Sequence, residues 1–172
     1  MIEFGTAGIR GPVRTEVTPS LALTLGRAAA ADGSDFVVGR DGRETGPAIV
    51  SALEAGLLSG GADVVRLGAV PTPALAYASR DRRGIMVTAS HNPPADNGLK
   101  FFLDGTEYDR NAEREIESRV ESGRSPVGWD RWGTTTRSDV LEAYRDAVVG
   151  YVRDEIGECE GLRVAVDCGN GT

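Results

Sequence analysis

Ile85-Met86-Val87-Thr88-Ala89-Ser90-His91-Asn92-Pro93-Pro94, closed by Asn97-Gly98-Leu99-Lys100, is the stretch on which the reading of this chain turns. Ile85 to Val87 is a short apolar run, the pattern of a buried strand. The strand delivers Ser90 into a turn, and Pro93-Pro94 keeps a helix or a central strand from running through it. His91 is the chain's one histidine, and of its 19 basic side chains only Lys100 is a lysine. Lysine gives up a proton when its environment favours that, and arginine effectively does not. This points to proton transfer at Lys100; the alternative is that Lys100 only neutralises charge.

Outward from this stretch, strands and helices alternate. Thr18-Pro19 reads as an N-cap followed by proline at the first helical position. Leu21, Leu25, Ala28 and Ala29 share one face of that helix, which Asp32-Gly33 ends. Phe36 to Val38 is a buried strand running into Gly39-Arg40-Asp41-Gly42-Arg43, a loop at the carboxyl end of a strand, where open α/β sheets bind ligands. A helix opened by Thr45 to Pro47 carries Ile49, Ala52, Leu53, Gly56 and Leu57 on its apolar stripe. Val64-Val65, a short helix capped by Thr72-Pro73, the strand to Thr88 and a strand from Gly98 to Leu103 follow. Asp109 caps a charged helix with Ile116 and Val120 as its apolar contacts. Ser122 to Gly133 reads as a loop, and Asp139 with Glu142 opens a helix bearing Leu141, Tyr144, Val148, Tyr151, Val152 and Ile156 on one side. This alternation predicts an α/β domain with a mixed, mainly parallel sheet sandwiched between helices. The domain is expected to span 1–156. Residues 157–172 read as a linker and the first strand, Leu162 to Val166, of a second domain that the chain only begins.

Composition narrows the function. The chain has 172 residues, a hydrophobic fraction of 40% and a net charge of -7. Such a charge argues against nucleic acid as a partner, since phosphate backbones are held by clustered cations. There is no signal peptide and no apolar run that spans a bilayer, so a cytoplasmic protein without a membrane partner is expected. Cys159 and Cys168 form no C-x-x-C, which speaks against a disulfide framework or a zinc site.

Ser90 could act in several ways. A hydrolase elbow needs G-x-S-x-G, and Thr88 and Asn92 stand where glycines would be. A Ser90–His91 pair is not expected, because neighbouring side chains of extended backbone point to opposite faces. A serine that carries a group between anion-binding loops remains. Gly5-Thr6-Ala7-Gly8-Ile9-Arg10-Gly11 can supply backbone N–H groups and a guanidinium to an anion, and so can the loop of Arg40 and Arg43.

Four segments resemble the α-D-phosphohexomutase family, which includes phosphoglucomutase and phosphomannomutase. They are Phe4 to Gly11, Gly39 to Arg43, Thr88 to Pro93 and Asn97-Gly98-Leu99-Lys100. The last two together are the specific part of the match, and Val164 to Gly171 is similar to the first strand of the family's second domain. The resemblance implies that Ser90 is phosphorylated and exchanges its phosphoryl group with a hexose phosphate through a hexose 1,6-bisphosphate. It implies Lys100 as general acid/base and Arg10, Arg40, Arg43, His91 and Asn92 as the phosphate- and substrate-binding residues. It also implies Mg²⁺, bound in part through the phosphate on Ser90. The family's other metal ligands, its sugar-recognition segment and its second phosphate loop lie in later domains of the polypeptide, so this chain alone is expected to be inactive and to need those domains as partners. The alternatives are a phosphoglucosamine mutase domain, or a non-catalytic sugar-phosphate-binding module of the same fold.

Overall fold

A computed structural model describes residues 3–5, 8–157, 161–169 and 171. Thr6 and Ala7 of the first glycine segment, Cys159 and much of the expected linker lie outside the described residues. Seven strands form one sheet in the order β1-β5-β4-β2-β3-β7, with β6 beside β5. The strands are β1 (Ile9–Pro12), β2 (Asp35–Arg40), β3 (Asp63–Ala69), β4 (Arg83–Val87), β5 (Asp96–Leu103), β6 (Thr106–Glu107) and β7 (Thr135–Arg137). From β4 through β2 and β3 to β7 the pairing is parallel, and β5 runs antiparallel to β4, β1 and β6. This is the expected mixed sheet.

Helices cover both faces because the strands are apolar on both. On one face Phe36, Val38, Val64, Ile85, Val87, Leu99 and Phe101 pack under α1 (Pro19–Ala29), α2 (Gly46–Ser59) and α4 (Arg110–Ser122). On the other, Val37, Met86 and Phe102 meet α3 (Thr72–Ala78) and Val140, which leads into α5 (Leu141–Ile156). The helix starts follow local chemistry. The Thr18 hydroxyl accepts from the Leu21 amide, and the Asp109 carboxylate accepts from the amides of Asn111 and Ala112. Tyr108 donates to Asp32 at 3.2 Å, and burial, with the Asp32 charge behind it, raises its phenol pKa.

The structure corrects several expectations. Thr72 is the first residue of α3, and the cap position is Pro71, which has no side-chain donor or acceptor to offer. Thr45 stands at the cap position of α2, the expected opening of that helix, but its side chain makes no capping bond; its hydroxyl accepts from the Asn97 side chain at 3.0 Å. The 122–133 loop holds one 3-10 turn, Trp129–Arg131. The apolar side of α5 packs mainly through Tyr144, whose ring lies 5.8 Å from that of Tyr77, while Leu141, Val148, Tyr151, Val152 and Ile156 are exposed. Leu162 to Val166 forms no strand, and its apolar side chains are exposed. A strand needs a neighbour for its N–H and C=O groups, and none of the described strands pairs with this segment. Among the described residues no helix is long and apolar enough to cross a membrane.

Candidate functional site

β4 ends at Val87, and its last residues carry the backbone out of the sheet core toward Ser90. Here the chain turns sharply: Ser90 has φ +57°, the left-handed region that a non-glycine residue rarely adopts. That conformation overturns the expectation for Ser90 and His91. Since Ser90 is not extended, Ser90 Oγ and His91 Nδ1 lie 3.4 Å apart. Both side chains are exposed.

The turn is held by side chains from the loop after β2. Arg43 donates through Nη1 to the carbonyls of Pro93 (2.7 Å) and Asp96 (2.9 Å). Through Nη2 it donates to the carbonyls of Ser90 (2.9 Å) and Asn92 (2.8 Å). Its Nε–H donates to Asp41 Oδ2 at 3.1 Å. A guanidinium has five N–H donors, so all of Arg43 is spent on fastening the loop. It cannot also take the phosphate-binding role the resemblance implies without releasing one of those bonds. Asp41 Oδ2 also accepts from the Thr88 hydroxyl at 2.6 Å, and Thr88 Oγ1 accepts from the Ser90 amide at 3.0 Å. Asn92 donates to Asp96 Oδ2 at 3.0 Å. Thr88 and Asp41 are the residues that sequence reasoning passed over; both lie inside the quoted segments, and their ability to donate and accept was the available signal.

Gly98 explains the glycine of Asn97-Gly98-Leu99-Lys100. It sits in β5 between β1 and β4, where a Cβ would stand 2.6 Å from the Thr88 carbonyl oxygen and 2.7 Å from that of Ile9. The Asn97 side chain folds back to accept from the Gly98 amide at 2.8 Å.

A cavity of about 690 Å³ gathers Ser90, His91, Asn92, Arg43, Asp41 and Thr88. The other three expected residues lie elsewhere. Arg10 pairs in register with Gly98, and its Nε is buried without a hydrogen-bond partner. Arg40 lines a different cavity and donates to the Asp41 carbonyl at 2.8 Å. Lys100 pairs in register with Met86, a residue of the Ser90 cavity wall, but its Nζ is held by Glu107 Oε1 at 2.6 Å. The Lys100 side chain is only 14% exposed, so reaching the Ser90 cavity requires the Glu107 pair to open.

Among the described residues no three His, Cys, Asp or Glu side chains come together as a metal-holding group. Mg²⁺ takes hard oxygen ligands in octahedral array. Around Ser90 the chain offers a hydroxyl, an imidazole, an amide already bonded to Asp96, and the Asp41 carboxylate already bonded to Thr88 and Arg43. These residues do not by themselves fit a Mg²⁺ ion.

Comparison with known proteins identifies the family of the chain. Residues 1–126 match the family of phosphoglucomutase/phosphomannomutase, alpha/beta/alpha domain I. The chain belongs to that family. It is 42% identical over 179 residues to a phosphoglucosamine mutase of Clostridium perfringens, covering 98% of this chain and 40% of that protein. It is also 42% identical over 172 residues to a "probable phosphoglucosamine mutase" of Methanosarcina acetivorans, covering 98% and 38%. The crystal structure of a phosphoglucomutase/phosphomannomutase family protein from Burkholderia thailandensis matches with a TM-score of 0.78 at 34% identity, over 87% of this chain and 36% of that one. The chain thus spans about two fifths of the length of these relatives.

Proposed function

We propose that Ser90 is the phosphoryl carrier of a hexose-phosphate mutase that interconverts a sugar 1-phosphate and 6-phosphate. The observation that carries this reading is the presentation of Ser90. Its hydroxyl stands exposed at the tip of a left-handed turn, while Arg43, Asp41 and Thr88 fix the backbone behind it. Phosphoryl transfer is governed by positioning and charge neutralisation, and a rigid loop that projects one hydroxyl supplies the positioning.

In the first transfer the Ser90 Oγ–P bond breaks as a sugar oxygen–P bond forms, and the freed Ser90 oxygen takes up a proton from solvent. In the return transfer these bond changes run in reverse. The sugar hydroxyl loses its proton to Lys100, the general acid/base of this reading, which returns it on reversal. Lys100 must leave Glu107 to do so. The bisphosphate sugar then turns over and returns its other phosphoryl group to Ser90. His91 and Asn92, in the cavity wall, contact phosphate and substrate, and Arg10 acts from outside that wall, on β1 opposite Gly98. Mg²⁺ would meet this chain only at the phosphate on Ser90, with its remaining ligands outside it. The relatives favour an amino sugar, glucosamine phosphate, as the hexose. Residues 1–156 are the carrier domain, acting in the cytoplasm with further domains of the same polypeptide, and the chain alone does not turn over.

The test is phosphate incorporation. Full-length protein is exposed to glucose 1,6-bisphosphate, and intact mass with peptide mapping locates the phosphate. It is expected on Ser90, with Ser90→Ala both unphosphorylated and inactive. A phosphate mapped elsewhere, or an active Ser90→Ala enzyme, removes Ser90 from the mechanism and leaves a sugar-phosphate-binding module.

A further inference from the structure

A second cavity, of about 500 Å³, opens near the carboxyl ends of β2, β3 and β7 and is lined by Arg40, Arg66 and Arg137. The sheet register explains why these residues meet. Arg66 on β3 is the cross-strand partner of Arg137 on β7 and of Val38 on β2. Residues two apart in a strand share a face, so Arg40 rises on the same side as Val38. That side is the one covered by α2, and Pro47 and Ser51 of α2 complete the wall.

Like charges set directly opposite each other destabilise a sheet. Arg66 and Arg137 are such a pair. Glu54, 5% exposed, offsets one of them: its Oε2 pairs with Arg66 Nη2, and its Oε1 accepts from Thr135 at 2.7 Å. Asp139, on the rim, accepts from the Leu141 amide at 3.0 Å. Three guanidinium groups against these two carboxylates leave the cavity cationic, in a chain whose net charge is -7. Its volume suits a small ligand, and its place beyond the strand ends is where α/β sheets bind theirs.

We propose that Arg40, Arg66 and Arg137 bind the phosphoryl group of a small phosphorylated metabolite at a site separate from the Ser90 cavity. A guanidinium fork matches two phosphate oxygens at once, and the net positive charge left after Glu54 and Asp139 favours an anion over a neutral ligand. The inference does not depend on the mutase reading, since neither Ser90 nor its loop takes part.

The test follows backbone amides by ¹H–¹⁵N NMR while the chain is titrated with inorganic phosphate, glucose 6-phosphate and glucose. Saturable shifts at Gly68 and Ser138 are expected with the two phosphates and not with glucose. Ser90→Ala should bind as the parent does. Arg137→Gln, at an exposed position that leaves the Glu54 pair intact, should weaken binding at least about tenfold while the rest of the spectrum keeps its dispersion. Arg40→Gln should weaken it likewise. Shifts confined to residues 90–92, equal shifts with glucose, or unchanged affinity in Arg137→Gln would each overturn the proposal.

Discussion

Two arginine-bearing regions lie at the carboxyl ends of parallel strands of one sheet and use the residue in opposite ways. In the Ser90 loop, Arg43 is 12% exposed and each of its five donors ends on the protein, four of them on backbone carbonyls. In the second cavity, Arg137 is exposed and faces another guanidinium across the strand pair. A guanidinium whose donors are all spent is a fastener. One set opposite its like is poised for an anion. Arg40, the last residue of β2, and Arg43, in the loop after it, stand three residues apart, yet they fall on opposite sides of this division, so the spacing of basic residues alone does not assign their roles.

The contrast breaks most readily at Arg43. Its loss strands the half-buried carbonyls of Asn92 and Asp96 and the Asp41 carboxylate, frees the exposed carbonyls of Ser90 and Pro93, and unsatisfied buried groups are costly. Arg43→Ala is expected to lower stability by roughly 2–4 kcal/mol, read as a shifted midpoint in urea unfolding. Arg43→Lys should recover little, because an ammonium cannot span five acceptors laid out for a planar fork. A loss under about 0.5 kcal/mol, the usual range for surface changes, would place Arg43 with the exposed arginines and dissolve the contrast.

Gly98 tests the same loop from behind. Gly98→Ala drives a methyl group toward two carbonyl oxygens that belong to β1 and to the chain entering the Ser90 turn. Overpacking of this kind costs roughly 1–3 kcal/mol, and β1 or β5 must shift to admit it. Hydrogen exchange should show lost protection at Leu99 and Thr88, which bracket the site. Unchanged protection would mean that the strands here are looser than the register implies.

What could be read from the residues was what local chemistry decides. The Thr18 and Asp109 caps, the strands of Phe36 to Val38 and Ile85 to Val87, and the loop that presents Ser90 all announce themselves within a few positions. Elements whose reason for existing is distant did not. β1 is a strand because Ile9 pairs with Leu99 and Pro12 with Asp96, far along the chain. β7 is three exposed residues with no apolar alternation. At the site, the Ser90–His91 contact depended on one positive φ, which no pattern of side chains reveals. The singular lysine was visible; its partner Glu107 was not, because it reaches Lys100 only through the two-residue strand β6.

Lys100 lies between the two arginine cases, a half-hidden cation with one strong partner. It is the chain's sole lysine, so an amine-acylating reagent followed by peptide mapping reads its accessibility without ambiguity. Glu107→Gln replaces the charge-assisted bond to Lys100 Nζ with a weaker one. Acylation of Lys100 is expected to quicken by about 3- to 10-fold, the equivalent of roughly 1 kcal/mol of lost pairing. Equal rates in parent and variant would show that Glu107 does not restrain Lys100.

The smallest effect is the one expected at Arg137, and it is the sharpest complement to Arg43. Arg137→Gln removes an exposed guanidinium that carries no hydrogen bond within the chain among those described. It also relieves the like-charge pairing with Arg66 across β3 and β7. Stability should therefore change by less than about 0.5 kcal/mol, with any change toward gain. Added phosphate divides the two proteins further. A ligand that binds only the folded state stabilises it in proportion to the logarithm of its concentration over Kd. The parent's unfolding midpoint should climb with phosphate, and that of Arg137→Gln should climb less at every concentration. If Arg137→Gln costs as much as Arg43→Ala, Arg137 is a fastener too, and the anion that would have balanced its charge is not needed to account for it.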